Sequence, residues 1–152
     1  MKMLKNKNKK YVQGIYTCKN PKKYIGTTPI IFRSRMELKA FRYLDNNPNV
    51  IHWSSESVVI PYISPADGRT HRYFVDLLAK LKSKDGTVKK LLIEVKPERQ
   101  TKPPIVSARK KQKTILYENY TYAVNCAKWE AAKNWCDKKG YIFIILNEKH
   151  LN

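Results

Sequence analysis

The order of elements that the sequence predicts indicates an α/β fold: a helix, a group of strands, and then helix, strand, helix and strand. The chain has 152 residues, enough for one hydrophobic core and too few for two domains. Its hydrophobic share of 42% is ample for folding, whereas residues 1–12 hold five lysines. We therefore expect a basic flexible arm over residues 1–12 and one folded domain over residues 13–152.

The first helix is predicted over residues 35–46, because Ser34 can cap its start and an Asn-Asn-Pro run ending at Pro48 can stop it. Two strands are predicted next, over residues 50–53 and 56–62, where β-branched and aromatic residues cluster. These elements form the first half of the expected domain.

A β-hairpin is the best-defined motif of the chain. Strands over residues 73–81 and 88–96 flank a short segment in which Asp85 and Gly86 favour a tight turn, since glycine accepts positive φ without penalty. Residues 11–29, by contrast, form an irregular basic stretch that could hold one or two strands, whose positions the sequence does not define.

The last third of the chain is predicted to alternate helices and strands. A very basic helix over residues 105–117 is followed by a short strand over residues 120–125. A further helix over residues 128–139 stops at Gly140, and residues 141–146 form a strand so apolar that we expect it at the centre of the sheet.

The charge of the chain predicts a polyanionic partner. Thirty-one lysines and arginines against twelve acidic residues give a formal net charge of +19. So large an excess repels itself in a compact protein and is most easily explained by phosphates that neutralise it, which makes nucleic acid the leading partner. A basic surface kept for solubility, or for a ribosomal or membrane-surface role, is the alternative.

Cysteine and histidine usage points away from disulfides and zinc. The three cysteines lie outside any CxxC spacing and the three histidines are scattered, so neither a disulfide framework nor a zinc site is expected. No apolar run of about 18 residues is present, and no apolar segment follows the first lysines as in a secretory signal. We expect a protein of a reducing cytoplasm with no membrane partner.

The stretch "LLIEVKPERQ", residues 91–100, ends a hydrophobic strand with an acid and a base. Glu94 and Lys96 share one face of the strand, because alternate side chains point the same way. A three-residue hairpin turn centred on Asp85 would place Asp76 of the partner strand opposite Glu94. A one-residue slip would turn Asp76 to the other face, and the pair at residues 94 and 96 would then be an ordinary solvated strand end.

Two opposed carboxylates need a compensating charge. Two unit charges 4 Å apart repel by about 4 kcal/mol at an effective dielectric constant of 20. Asp and Glu oxygens suit Mg²⁺ or Mn²⁺, which retain waters and take their remaining ligands from substrate phosphates. Lys96 would then lie beside a scissile phosphate, where it could position the attacking water and stabilise transition-state charge.

Glu37 has two interpretations. Ser34 and Glu37 fit the S-x-x-E capping box at a helix start. On a helical wheel, however, Glu37 lies with Ala40, Phe41 and Leu44 on the apolar face, so it points towards the sheet. Burying an unpaired acid costs more than a good cap contributes, and a third inward carboxylate is therefore expected.

A basic surface is predicted beside the acids. It consists of residues 107–113 together with preceding cations, and it would contact the backbone of double-stranded DNA, although a solvated basic helix would look the same. The predicted DNA-binding residues are Arg99, Lys102, Arg109, Lys110 and Lys113.

Taken together, Glu37, the "YFVD" that ends in Asp76 and the "IEVK" that carries Glu94 and Lys96 resemble the D…(D/E)xK signature of restriction-endonuclease-like nucleases. Within that superfamily the chain is most similar to the endonuclease subunit of TnsA-like transposition systems and to head completion nucleases of T-even-type phages. The resemblance covers nearly the whole chain after the basic arm, and the "AKWEAAKNWCDKKG" helix with the following strand is its more specific part.

The resemblance implies a mixed central sheet flanked by helices and a deoxyribonuclease dependent on Mg²⁺ or Mn²⁺. It implies that Asp76 and Glu94 bind the metal with support from Glu37, that Lys96 assists the water, and that Gln112 is an auxiliary polar residue. Val75 replaces the proline of the PD form, and no separate DNA-recognition domain is visible, so cutting by backbone shape or at DNA ends is expected instead of sequence-specific cutting.

The sequence thus predicts a metal-dependent endonuclease or end-trimming nuclease that completes tailed-phage heads by acting on packaged DNA. Capsid, portal or neck proteins would be its partners, in the host cytoplasm or with the virion. A resolvase or transposase subunit is a second nuclease role. The alternative from another class is a non-catalytic basic protein that binds DNA and plugs or stabilises the capsid, with its acids serving only the fold.

Overall fold

A four-stranded sheet with a helix on each face organises the chain. The computed structural model describes residues 13–152, and the predicted arm over residues 1–12 lies outside the described residues. In chain order the elements are β1 (Gly14–Tyr16), β2 (Ile30–Phe32), α1 (Arg35–Asn46), β3 (Val50–Ser55), β4 (Val59–Ile63), β5 (Thr70–Phe74), β6 (Leu77–Lys82), β7 (Val88–Val95), α2 (Gln112–Lys139) and β8 (Ile142–Leu146).

The strand order of the central sheet is β3-β6-β7-β8. The pairs β3–β6 and β6–β7 are antiparallel, whereas β8 runs parallel to β7, so the sheet is mixed. Two small two-stranded sheets, β1–β2 and β4–β5, complete the domain. This arrangement confirms the predicted restriction-endonuclease-like α/β fold. Within residues 13–152 no helix is both long and apolar enough to cross a membrane.

Alternating side chains of β7 divide the core into two layers. Ile93 and Val95 pack with Phe41 of α1 on one face. Leu92 packs with Trp129 of α2 on the other face. Each layer is a separate hydrophobic cluster, so β7 is covered on both sides and its position is fixed by packing.

The predicted hairpin and its register are confirmed. Ser83 N–H donates to the Thr87 carbonyl at 2.8 Å, and Gly86 takes a positive φ of 86° in the turn between them. Leu77 pairs with Ile93 in the resulting ladder. Helix α1 is also confirmed over residues 35–46, with the Ser34 side chain accepting the Glu37 N–H.

The predicted strand over residues 73–81 is wrong in one respect, because the chain changes sheet in the middle of it. Strand β5 pairs with β4, and β6 pairs with β7. Val75 N–H still donates to the Val58 carbonyl at 3.1 Å, while Asp76 is the first residue beyond that contact. Asp76 therefore lies in the joint between two sheets.

The prediction for residues 105–125 is wrong in part, because the helix predicted over residues 105–117 begins only at Gln112. Residues 105–111 form no helix, and the predicted strand over residues 120–125 lies inside α2, which continues without a break for 28 residues. A run of aromatic and β-branched residues looked like a strand, but tertiary packing along one helix face overrode that local preference. The buried residues of α2 follow helical spacing: Asn125, Trp129, Ala132 and Cys136.

Strand β8 is placed at an edge of the sheet, so its predicted central position is wrong. It pairs with β7 on one side only. Both faces of β8 are nevertheless packed, because Ile144 contacts the α1 cluster and Ile145 contacts the α2 cluster. This packing explains why the strand is so apolar. The predicted helix end at Gly140 is confirmed, because Gly140 caps α2 in the left-handed conformation.

Candidate active site

Asp76 and Glu94 meet where β7 leaves the sheet. The β6–β7 register pairs Leu77 with Ile93, and continuing it by one residue places Asp76 opposite Glu94. Oδ2 of Asp76 accepts the backbone N–H of Val95 at 2.7 Å. The predicted opposition of the two acids is therefore present, although Asp76 lies in the joint before β6 and not in the strand itself.

Glu94 is buried, with 6% of its surface exposed. Its Oε2 accepts the hydroxyl of Tyr73 at 2.5 Å, and its Oε1 lies 3.5 Å from Nζ of Lys96. Nζ of Lys128 on α2 lies 5.5 Å from the centre of the Tyr73 ring. A hydroxyl and an ammonium group thus hold Glu94 in one orientation, and a second ammonium group lies behind the tyrosine.

The electrostatics of Asp76 are unfavourable in the absence of a cation. Burial raises the pKa of Asp76 well above its usual range, and the nearby charges of Glu94 and Glu37 raise it further. The Val95 N–H and Lys96 oppose this shift and do not cancel it. The carboxylate is held in a place where its own charge is destabilised.

Glu37 performs the capping role and is also close to the acids. Its Oε2 accepts the backbone N–H of Arg33 at 2.9 Å, and its own N–H donates to the Ser34 hydroxyl at 3.0 Å. Burial raises the pKa of Glu37, the Arg33 N–H and guanidinium lower it, and Glu94 raises it again. The Ser34 cap is therefore present, but the Glu37 carboxylate binds the N–H of the residue before the cap. Glu37 is not grouped with Asp76 and Glu94 closely enough to be a third ligand of one metal ion.

The donor set fits a hard divalent ion held by two protein carboxylates. Among residues 13–152, no three His, Cys, Asp or Glu side chains are grouped closely enough to hold a metal ion. Mg²⁺ is commonly bound by one or two carboxylates with waters and substrate phosphates, so a pair such as Asp76 and Glu94 would suffice to hold it. Their mutual repulsion is what a cation would relieve.

Two residues of this site were not found from the sequence. Tyr73 contacts Glu94 across 21 positions of the chain, and no local pattern marks such a pairing. Glu56 has a positive φ of 52°, unusual for a residue with a side chain, and its N–H donates to the Asp76 carbonyl at 3.0 Å. Its carboxylate forms an ion pair with Arg33. Backbone conformation of this kind has no sequence signature.

The predicted basic residues follow the acids along the chain. Arg99 and Lys102 are exposed just beyond β7, and Arg109 and Lys113 are exposed near the start of α2. Lys110 is engaged by the protein itself, since its Nζ lies 2.8 Å from Glu118 Oε2 and 2.8 Å from the Ile105 carbonyl. Gln112 is the exposed first residue of α2. Of these residues, Arg99, Lys102 and Lys110 line one cleft together.

Comparison with known proteins identifies the family. Residues 47–148 match the model for the N-terminal domain of TnsA-like endonucleases. The chain belongs to this nuclease family. It is also 39% identical over 142 residues to the head completion nuclease of Enterobacteria phage T4, an alignment that covers 91% of this chain and 92% of that protein.

The family match includes the chemical core of the candidate site. Asp76, Glu94 and Lys96 fall within the matched residues, whereas Glu37 precedes them. The matched residues run from just before β3 to just after β8.

Proposed function

We propose that this protein is a Mg²⁺- or Mn²⁺-dependent deoxyribonuclease of the PD-(D/E)xK type, with Asp76 and Glu94 as metal ligands. The observation that carries the proposal is the register of β6 and β7, which holds two carboxylates opposite each other beside Lys96. Membership of an endonuclease family supports it. A metal bound there would supply Lewis-acid activation of water and neutralise charge at the phosphate.

The protein groups have separate tasks in this proposal. Tyr73 and Lys96 fix the orientation of Glu94, and the Val95 N–H fixes Asp76. Lys96 is half-buried at the open end of β7, so its ammonium group can contact a non-bridging phosphate oxygen and stabilise the charge that develops during in-line attack. Glu37 contributes indirectly, because it adds negative potential at the two acids and fixes the start of α1.

The substrate we propose is double-stranded DNA held by its backbone. The net charge of +19 and the exposed cations after β7 support phosphate contacts that carry no base information. Arg99, Lys102, Arg109 and Lys113 are the proposed backbone contacts. Lys110 and Lys102 contribute less, because their ammonium groups already lie 2.8 Å from Glu118 and 3.3 Å from Glu98.

The biological setting we propose is phage head completion. The relative from phage T4 is named a head completion nuclease, and the two sequences align over nearly their full lengths. The protein would act on packaged DNA and contact capsid, portal or neck proteins, in the host cytoplasm or in the virion. Complementation of a T4 mutant that lacks its own head completion nuclease tests this setting, and failure by a stable, catalytically active protein would contradict it.

The enzymatic proposal is tested by incubating the purified chain with linear and supercoiled plasmid in Mg²⁺, Mn²⁺ or chelator. We expect cleavage only with metal, and loss of cleavage in Asp76→Ala and Lys96→Ala. Glu130→Ala and Lys133→Ala are matched controls, because they remove one acid and one base from exposed positions of α2. DNA that is bound but uncut by the wild type would favour the alternative of a non-catalytic capsid plug.

A further inference from the structure

A cleft of about 500 Å³ lies between the segment that follows β7 and the N-terminal half of α2. This volume is within the range of sites that enclose a small molecule or a nucleotide. Neither Asp76 nor Glu94 lines it. The cleft is therefore a second feature, separate from the acidic site.

The lining of the cleft combines aromatic rings, cations and one buried amide. Tyr117 and Tyr122 of α2 supply rings, and Tyr117 is 71% exposed. Arg99 and Lys102 supply positive charge from the other wall. Asn125 is only 7% exposed and still lines the cleft, so a hydrogen-bonding side chain borders its inner end.

The position of the cleft links it to the acids. Arg99 follows Lys96 by three residues. On the other wall, Asn125 precedes Lys128 by three residues, which is about 4.5 Å along a helix. Lys128 in turn lies over the ring of Tyr73, whose hydroxyl binds Glu94. The segment that follows Lys96 therefore forms one wall of the cleft, and the helix that carries Lys128 forms the other.

We propose that this cleft binds an unpaired nucleotide of the DNA substrate next to the scissile phosphate. Tyrosine rings stack on any base, arginine and lysine neutralise its phosphate, and the amide of Asn125 offers a donor and an acceptor to a base edge. The only carboxylate in the lining, that of Glu118, is neutralised by Lys110 at 2.8 Å. The negative strand therefore meets no uncompensated acid.

The inference rests on the proposed nuclease function and narrows its substrate class. A base that is paired and stacked in a duplex presents no free face to a ring and cannot enter a cleft. A frayed, overhanging or flipped nucleotide can. The protein would accordingly act best near DNA ends or at junctions where a strand is unpaired.

The test measures binding of the full-length protein to DNA in chelator, so that no cleavage occurs. Two duplexes of equal length are compared, one blunt and one with a short single-stranded overhang that carries the fluorescent base 2-aminopurine. We expect tighter binding of the overhang and quenching of the 2-aminopurine by stacking. In Tyr117→Ala we expect about a tenfold loss of affinity for the overhang with binding of the blunt duplex unchanged.

Matched variants distinguish a loss of base stacking from a general loss of DNA binding. Tyr43→Ala removes a tyrosine of α1 that is 52% exposed and far from the cleft in the fold, and it should leave both affinities and the quenching unchanged. Arg99→Gln should weaken overhang binding more than blunt-duplex binding. Both substitutions, like Tyr117→Ala, are at exposed positions and should not disturb folding.

The outcomes distinguish this proposal from the proposed function. Equal affinity for both duplexes, or unchanged quenching in Tyr117→Ala, would overturn the unpaired-nucleotide site while metal-dependent cleavage of plasmid could still be observed. Binding of an apolar peptide that is lost in Tyr117→Ala and does not reduce the affinity for the overhang would likewise overturn it in favour of a protein-binding cleft. Absence of cleavage in every metal would overturn the nuclease proposal, whatever the binding preference.

Discussion

Two aspartates of this protein, Asp45 and the half-buried Asp76, have opposite surroundings. Asp45, near the end of α1, has no exposed surface and accepts three hydrogen bonds, from the Tyr16 hydroxyl at 2.6 Å, the Lys19 N–H at 2.7 Å and the Asn20 N–H at 3.0 Å. Asp76 accepts one, from Val95, and has other carboxylates nearby. The first site is saturated with donors and the second is short of them.

The pKa values of the two groups move in opposite directions for this reason. Burial would raise the pKa of Asp45, but its hydrogen bonds outweigh burial and lower it. Burial also raises the pKa of Asp76, and there the neighbouring negative charges add to the effect. Burial of an acid therefore does not mark a functional site by itself. A carboxylate with few hydrogen-bond donors and a second acid beside it is a better indication of a functional site.

The largest expected effect is a loss of DNA cleavage when Asp76, which has a single hydrogen-bond donor, is replaced. If Asp76 binds the metal as proposed, Asp76→Asn should lower cleavage by about a thousandfold, since loss of such a carboxylate removes several kcal/mol of transition-state stabilisation. The metal-free variant should be at least as stable as the wild type, because a repulsive charge is removed and the amide oxygen can still accept the Val95 N–H. Cleavage rates and urea denaturation in chelator measure the two effects.

A clear loss of stability in metal-free Asp76→Asn would contradict this comparison, because it would mean that the carboxylate stabilises the fold. Glu130→Ala, at an exposed position of α2, serves as the control for removal of one acid.

The next largest effect is a loss of stability when Asp45, whose carboxylate accepts three hydrogen bonds, is replaced. Asp45→Asn should lower the free energy of unfolding by about 2–3 kcal/mol, because the neutral amide loses charge-assisted hydrogen bonds and places an NH₂ group among donors. Cleavage per folded molecule should stay unchanged. Urea denaturation measures the stability, and plasmid cleavage assays at low temperature measure the activity of the folded variant. A lower cleavage rate per folded molecule would contradict this prediction.

A smaller effect is expected at Tyr73. Tyr73→Phe removes the hydroxyl that binds Glu94 and leaves the ring and its packing in place. We expect about a tenfold decrease in cleavage together with weaker metal binding, because Glu94 is less well oriented. Titration calorimetry with Mn²⁺ separates this from a folding defect. Tyr62→Phe, in the neighbouring strand β4, is the matched control.

The smallest effect concerns acid stability. The pKa of Asp45 is lowered in the folded state, so its stabilising contribution is complete above the ordinary aspartate pKa of about 3.9 and is lost as the pH falls through the lower folded value. Comparing wild type and Asp45→Asn by urea denaturation from pH 6 down to pH 2 should show the two converging in acid. A constant difference across this range would contradict the assignment.

Local patterns predicted the elements whose signals are local. Helix α1 has a capping serine and a clear end in the sequence. The glycine turn of the β6–β7 hairpin predicted Asp76 opposite Glu94 but left a one-residue slip open, which the observed ladder excludes. The same turn fixed which face Glu94 occupies. These features depend on neighbours a few positions apart.

Features that depend on distant contacts were missed. Residues 120–125 have the composition of a strand and became helical because Asn125 and Trp129 lie one turn apart against the sheet. The chain changes sheet before Asp76 because β5 pairs with β4. The Tyr73 hydroxyl binds Glu94 of β7, a residue 21 positions away in the chain. No short motif encodes either contact. Tertiary packing decided these positions.

The joint between β5 and β6 makes the site sensitive to chain length. Asp76 is preceded by a residue bonded to Val58 and followed by a residue paired with Ile93, so both of its peptide neighbours are fixed by different sheets. An insertion of one residue here would shift one ladder against its partner or carry the carboxylate away from Glu94. Variation in length is therefore tolerable in the β6–β7 turn and intolerable at this junction.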